Sequence, residues 1–326
     1  MIPDVIPIAT PKVLPKVIPK AIQVLSISLG SSARDHEVEL RLLGRALRVR
    51  RLGCDGDPRR ALDLYRESDG RVDAFGVGGA ELDLRVGGRT YPLAYGRRIR
   101  ALVRHTPLAD GSRIRCLLER RALTALTGAG YSLAGRTALV STAVDRYDLA
   151  LALREQGARL VLGDLMYGLG LPLRLHSLRS VERLAAVLLP LVLRLPMSLL
   201  YPTGAAQGRA PSPRFEGLLA DVQVLAGDFL QLRQYLPRDL RGRVMVTNTT
   251  TAADLDLLAR RGLDTLVTST PRLAGRSFGT NVAEAMLLAL AVAEGAADPT
   301  APATLAALAA AAGLAPDLCH PGRGAI

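Results

Sequence analysis

Lysine is almost missing from this 326-residue sequence, occurring only at Lys12, Lys16 and Lys20. The rest of the chain therefore cannot form a lysine Schiff base, which excludes pyridoxal phosphate enzymes and lysine aldolases. It also lacks a P-loop lysine, which excludes that class of NTPase. Tryptophan is absent and aromatics make up only 4% of residues, so any core must be aliphatic. The three cysteines, Cys54, Cys116 and Cys319, are too few and too far apart for a zinc motif or a disulfide framework. They read as small buried hydrophobes in a reducing cytoplasm. No basic segment followed by an unbroken apolar run marks a signal peptide. The best candidate for a membrane span, Leu184 to Leu200, is broken by Pro190, Arg194 and Pro196 and is short for a bilayer. It reads as a buried or interdomain helix, and no membrane partner is expected.

What is present is hydrophobic and basic. Hydrophobic residues make up 49% of the chain, and the formal charge is +12, carried almost wholly by arginine. The arginines are scattered, often beside Asp or Glu, with no long basic run. That pattern suits a small anionic metabolite better than nucleic acid, which is not expected as a partner.

Four segments are expected. Residues 1–21 carry Pro3, Pro7, Pro11, Pro15 and Pro19 at a period of four, which blocks helix and sheet alike and predicts a disordered or extended tail. Residues 22–128 read as a mixed α/β domain with two hairpins, turning at Gly44-Arg45 and Gly87-Gly88. A helix from about Ser112 to Leu126 bridges to the next lobe. Residues 129–295 show five short apolar runs without internal polar alternation, each followed by a helical segment. This predicts a parallel sheet covered on both faces, as in Rossmann-like domains. Residues 296–326 are rich in Ala and Pro and predict a weakly ordered tail. The fold class is thus α/β with two lobes.

Ligands of open parallel sheets bind beyond the carboxyl ends of the strands. That rule selects Ser141, Asp145, Asp164, Asp228, Asn248, Thr249, Thr268 and Thr270. Asp164 lies 19 residues after Asp145, close to the spacing of a ribose-binding acid beyond a phosphate loop. Ser141, Asp145, Arg146 and Asp164 are therefore the candidate cofactor residues, favouring NAD over NADP. The loop reads Ser-Thr-Ala-Val-Asp-Arg rather than G-x-G-x-x-G, so Asp145 and Asp164 read equally well as a helix cap and a strand-end residue. Gly275 through Asn281 precede a helix start, where free backbone N–H groups favour an anion. Arg276, Ser277, Thr280 and Asn281 are the candidate anion contacts, with a capping box of Asn281 and Glu284 as the alternative. Asp35 and His36 are an acid–base candidate, or a solvated loop. No histidine has metal spacing.

Four strings carry a resemblance: Ser28 through Val38, Val140 through Arg146, Tyr201 through Gly204, and Gly275 through Asn281. In these the ordered span, roughly Val24 to Leu290, resembles a bacterial family labelled quinate 5-dehydrogenase. The resemblance implies NAD(P)-dependent oxidation of a cyclic polyol acid, with a substrate domain ahead of a Rossmann domain. The catalytic Lys–Asp pair of quinate and shikimate dehydrogenases has no counterpart here, since no lysine follows Lys20. The alternative expectation is a non-redox nucleotide- or metabolite-binding regulatory protein.

Overall fold

The computed structural model describes residues 21–193, 210–270, 272–273 and 276–323. The proline-rich stretch, the Tyr201–Gly204 string and the side chains of Arg276 and Ser277 lie outside the described residues.

The first sheet is built around β1 (Ile22–Ser28), an apolar strand with nearly every residue buried. β2 (His36–Leu42) and β3 (Arg45–Gly53) form an antiparallel hairpin. Its turn puts both Leu43 and Gly44 at positive φ, 50° and 77°, the conformation that two-residue hairpins demand. After α1 (Pro58–Ser68) comes β4 (Ala74–Gly78). The small hairpin of β5 (Asp83–Val86) and β6 (Arg89–Pro92) follows, then α2 (Ala94–Leu102) and β7 (Leu108–Ala109). The sheet order is β2-β3-β1-β4-β7, and every pairing except the β2 edge is parallel. More of this lobe is parallel sheet than its two hairpins suggested.

The helix α3 (Ser112–Gly128) joins the lobes. Ile114 and Leu118 pack in the first core, while Ala122, Leu123 and Leu126 pack in the second. Beyond it, strands and helices alternate as expected: β8 (Thr137–Val140), α4 (Tyr147–Glu155), β9 (Arg159–Leu162), α5 (Leu178–Val192), β10 (Val224–Gly227), α6 (Phe229–Gln234), β11 (Val244–Thr247), α7 (Ala252–Arg260) and β12 (Thr265–Thr268). These strands are short and almost wholly buried. That is how a sheet covered on both faces avoids polar alternation. Among themselves they are all parallel, in the order β9-β8-β10-β11-β12. Counted within the lobe this is 2-1-3-4-5, a doubly wound order of nucleotide-binding folds. Thr251 and Asp254 form the expected capping box at α7.

The C-terminal third departs from expectation. After the two-residue strands β13 (Arg272–Leu273) and β14 (Arg276–Ser277), α8 (Thr280–Ala293) returns to the first lobe. Its apolar surface, from Val282 to Leu290, is buried in the first core with Ile22, Val24 and Ala74. The stretch expected as a loose tail forms α9 (Pro302–Ala311), whose Leu305 and Ala309 join that core, and β15 (Asp317–Cys319), an antiparallel edge beside β12. The exchange is mutual. Leu84 and Val86 of the β5–β6 hairpin pack in the second core with Leu178, Val181 and Ala185. Each lobe thus completes the core of the other, and lobe boundaries do not follow chain order.

Candidate functional site

All the parallel strands of the first sheet end at one edge, at Ser28, Gly53, Gly78 and Ala109. Those of the second end at Val140, Leu162, Gly227, Thr247 and Thr268. Residues from both sets of ends line one cleft of about 240 Å³, among them Ser28, Gly79, Glu81, Asp145, Asp228 and Asn281. In the second lobe the cleft lies where the strand order reverses, between β8 and β10, the position at which such sheets bind ligands. Gly227 makes that junction possible. Its φ is +136°, and a Cβ there would overlap the Ser141 hydroxyl.

Ser141 and Asp145 follow β8, and the loop between them takes a different form from a helix cap. The α4 N-cap is Arg146, with no side-chain hydrogen bond to the helix. Asp145 is instead a buried charge between two guanidiniums. Arg115 Nη1 lies 3.3 Å from its Oδ1, and Arg146 Nε 3.3 Å from its Oδ2. Arg115 also pairs with Glu81, which follows β4. Arg146 pairs with Glu119 of α3 at 3.0 Å and approaches Asp228 at 3.5 Å. Residues from both sheets and the bridging helix therefore meet in one ionic cluster.

Two carboxyls of the cluster shift in opposite directions. Burial pushes the Glu81 carboxyl well above the usual carboxylate range, against the pull of Arg115, and it hydrogen-bonds Asp145. Burial acts on Asp145 in the same sense, but Arg146 and Arg115, with the Glu81 hydrogen bond, outweigh it and keep Asp145 ionised. Two adjacent carboxyls are thus pushed apart in proton affinity, an arrangement able to give up or take a proton. No sequence motif marks Glu81. The strand-end rule finds it only once β1, β3 and β4 are seen to run parallel.

His36 and Asp35 separate. The His36 Nδ1 lies 3.0 Å from the Arg34 carbonyl oxygen. A carbonyl only accepts, so Nδ1 carries the hydrogen, and in that neutral tautomer Nε2 is the acceptor. Nε2 is buried with no hydrogen-bond partner, and His36 lines the cleft. Asp35 does not line it. Its Oδ1 accepts from Arg51 Nη1 at 2.8 Å and from the Gly53 amide at 2.6 Å, a structural clasp on the β3 end.

Ser141 and Thr142 both donate to Gln231 Oε1, at 3.0 and 2.7 Å, and Ser141 is fully buried. Asp164 opens a single π-helical turn, Asp164–Gly168, directly after β9. Its Oδ1 accepts from the Val144 amide at 2.8 Å, and its Oδ2 is buried without a partner. Burial pushes it up to about 6, only partly offset by the backbone amides of Val144 and Ala143.

Thr280 and Asn281 do line the cleft. The capping box drawn for Asn281 and Glu284 is not formed. Gly279 is the α8 N-cap and offers no side chain. Glu284, fully buried, reaches instead to the start of α3, accepting from the Arg113 amide at 2.8 Å and pairing with its guanidinium at 2.8 Å. Asn281 Nδ2 donates to Ser26 Oγ at 3.0 Å, in the hollow left by Gly76 and Gly78. The α8 amino end thus opens on the cleft without a side-chain cap, and its dipole favours an anion there.

A second cavity of about 140 Å³ adjoins the cleft; Asp145 and Gln231 line both. Its other walls are mainly leucines of the β5–β6 hairpin region and α5, with Asp164 as a buried polar wall. Among the described residues there is no cluster of His, Cys, Asp and Glu able to hold a metal. Nor is any described helix long and apolar enough to cross a membrane.

Residues 113–321 match the family described as a domain of unknown function, DUF8754, and the chain belongs to that family. Residues 23–110 match a second domain of unknown function, DUF8753. The two matches meet just ahead of α3. No curated protein matches the sequence. Among solved structures, the chain is similar to a Mycobacterium smegmatis protein in complex with β-D-fucofuranose, at 12% identity and a TM-score of 0.34, covering 92% of this chain and 99% of that one. It is similar to a galactofuranose-binding protein at 10% identity and 0.34, covering 78% and 85%. A glutamate dehydrogenase stands at 12% and 0.35, covering 89% and 71%.

Proposed function

We propose that this protein binds a small, hydroxyl-rich carboxylic acid of the quinate type in the cleft between its lobes, as a metabolite-binding protein without redox chemistry. The observation that carries this reading is the convergence of both parallel sheets on one cleft. Polar side chains from both lobes line that cleft, and the uncapped α8 amino end opens on it. A ligand carboxylate is held at the α8 amides, with Arg34 of the cleft wall as its charge partner. Asn281, Asn248 and Asp228 offer donors and acceptors to hydroxyls. The bare Nε2 of His36 accepts one hydroxyl hydrogen.

The finer expectation, hydride transfer from such an acid to NAD with Asp164 on the ribose, meets a misfit. The loop after β8 lacks the glycines that let backbone approach a pyrophosphate. Its Val144 amide is already taken by the Asp164 carboxylate, and ionised Asp145 stands beside it. The residues present do not fit the group they were expected to hold.

Calorimetric titration of the full chain with quinate tests the reading. Binding is expected, weakened about tenfold in His36→Ala by loss of one buried hydrogen bond. Asp35→Asn, away from the cleft wall, leaves the affinity unchanged. NAD is expected to give no heat and no thermal stabilisation. Stabilisation by NAD that Asp164→Ala abolishes would restore the redox reading.

A further inference from the structure

The geometry points to a separate subsite for a ring-sized apolar group bearing one hydrogen-bond donor, in the leucine-lined cavity that adjoins the cleft. Three observations carry it. First, the cavity is of the right size and lining. At about 140 Å³, it is close to the apolar protein cavity of about 150 Å³ known to accept benzene. Leu84 and Leu93 come from the first half of the chain, and Leu184, Ala185, Leu188 and Leu189 from α5.

Second, its polar wall is unfinished. Asp164 is 7% exposed, yet only Oδ1 is engaged, by the Val144 amide, while Oδ2 has no partner. A buried acceptor left unpaired is costly and points to a missing donor. No group of the cavity wall bonds Oδ2 in the structure: the remaining polar side chains are Thr142 and Gln231, joined to each other through Gln231 Oε1, and Asp145. A bound N–H or O–H completes the set. Burial also raises the affinity of Asp164 for its own proton, against the pull of the backbone amides beside it.

Third, the cavity is joined to the cleft, because Asp145 and Gln231 wall both. A ligand with its polar part in the cleft places an apolar ring in this cavity. That last step rests on the reading of the cleft given above, whereas the subsite itself does not. The natural ligand is accordingly an amphipathic one, a polyol acid joined to a ring-sized apolar group.

Methyl NMR of the leucine-labelled full chain tests the subsite with two probes of similar size, indole and toluene. Both are expected to shift the methyls of Leu184, Leu188 and Leu189. Indole, through its N–H, binds about fivefold more tightly, the worth of one net hydrogen bond. Asp164→Asn retains an acceptor for Val144 but turns a donor toward the cavity. It should abolish the preference for indole and leave toluene unaffected. Leu188→Trp, at a half-buried wall, should block both probes while quinate still binds in the cleft. Absence of leucine shifts with both probes in a chain that binds quinate overturns the subsite and spares the cleft. Leucine shifts with indole in a chain blind to quinate support the subsite and overturn the amphipathic ligand. Equal affinity for indole and toluene overturns the role of Asp164.

Discussion

Two aspartates of the second lobe, 19 residues apart in sequence, face adjoining cavities and behave in opposite ways. Asp145, in the polar cleft, is buried between Arg115 and Arg146 and stays ionised. Asp164, in the leucine-lined cavity, is buried without a cation and rises to about 6. Burial penalises both charges; the guanidiniums decide which one keeps its charge. The cleft is therefore a preorganised ionic surface suited to a polar ligand. The second cavity is an apolar hole with one unfilled acceptor.

The comparison breaks most visibly at the cations. Arg146→Met leaves Asp145 and Glu119 buried without their shared partner. It should lower stability by about 3–5 kcal/mol in urea unfolding, the usual cost of orphaning a buried charge. A loss below about 1 kcal/mol would mean that the cluster is already hydrated.

The second test uses the opposite signs. Asp164 has a folded-state pKa above its unfolded value of about 3.9. The folded state therefore binds more protons between about pH 4 and 6, and stability from this group falls as pH rises through that window. Asp164→Asn removes the penalty, so its stability relative to the parent should improve by on the order of 3 kcal/mol between pH 4 and pH 7. Asp145 is depressed, so its contribution is present above about pH 4 and is lost as pH falls through its lowered folded pKa. Asp145→Asn should therefore be most damaging at pH 7 and recover relative to the parent only in strong acid. Parallel pH profiles for the two variants would erase the distinction.

A smaller effect is expected where the ends of β8 and β10 meet within the second lobe. Gly227→Ala sets a Cβ against the Ser141 hydroxyl at a φ of +136°. It should cost about 1–3 kcal/mol in urea unfolding. The smallest belongs to the surface. Arg241 pairs with Asp239 at 2.7 Å, but both are largely exposed, and Arg241→Ala should leave the urea midpoint unmoved.

Much of the second lobe was legible because its signals are local. Five apolar runs, each ended by polar residues, correspond to β8 through β12, and Thr251 with Asp254 reads directly as a cap. The first lobe was less legible. Its hairpins were visible, but the parallel pairing of β1 with β3 and β4 is non-local, and with it Glu81 was lost. Asp145 looked like a helix cap because only position was available. Its partners Arg115 and Glu81 lie far from it in sequence, on α3 and just after β4. α8 is apolar nearly all round, so its pattern announced burial but not in which lobe. Glu284 then matched a capping spacing by coincidence while serving α3. Thr280 and Asn281 were found from the loop ahead of a helix start, a local feature that survives even when the helix belongs to the other core.

Amide NMR of the full chain titrated with quinate addresses the cleft most directly. Shifts are expected on both lobes at once, at Gly30 and Gly79 after the first sheet, at Asp228 and Asn248 after the second, and at Thr280 and Asn281. Shifts confined to one lobe, or lying at the opposite ends of the strands, would contradict binding in the cleft.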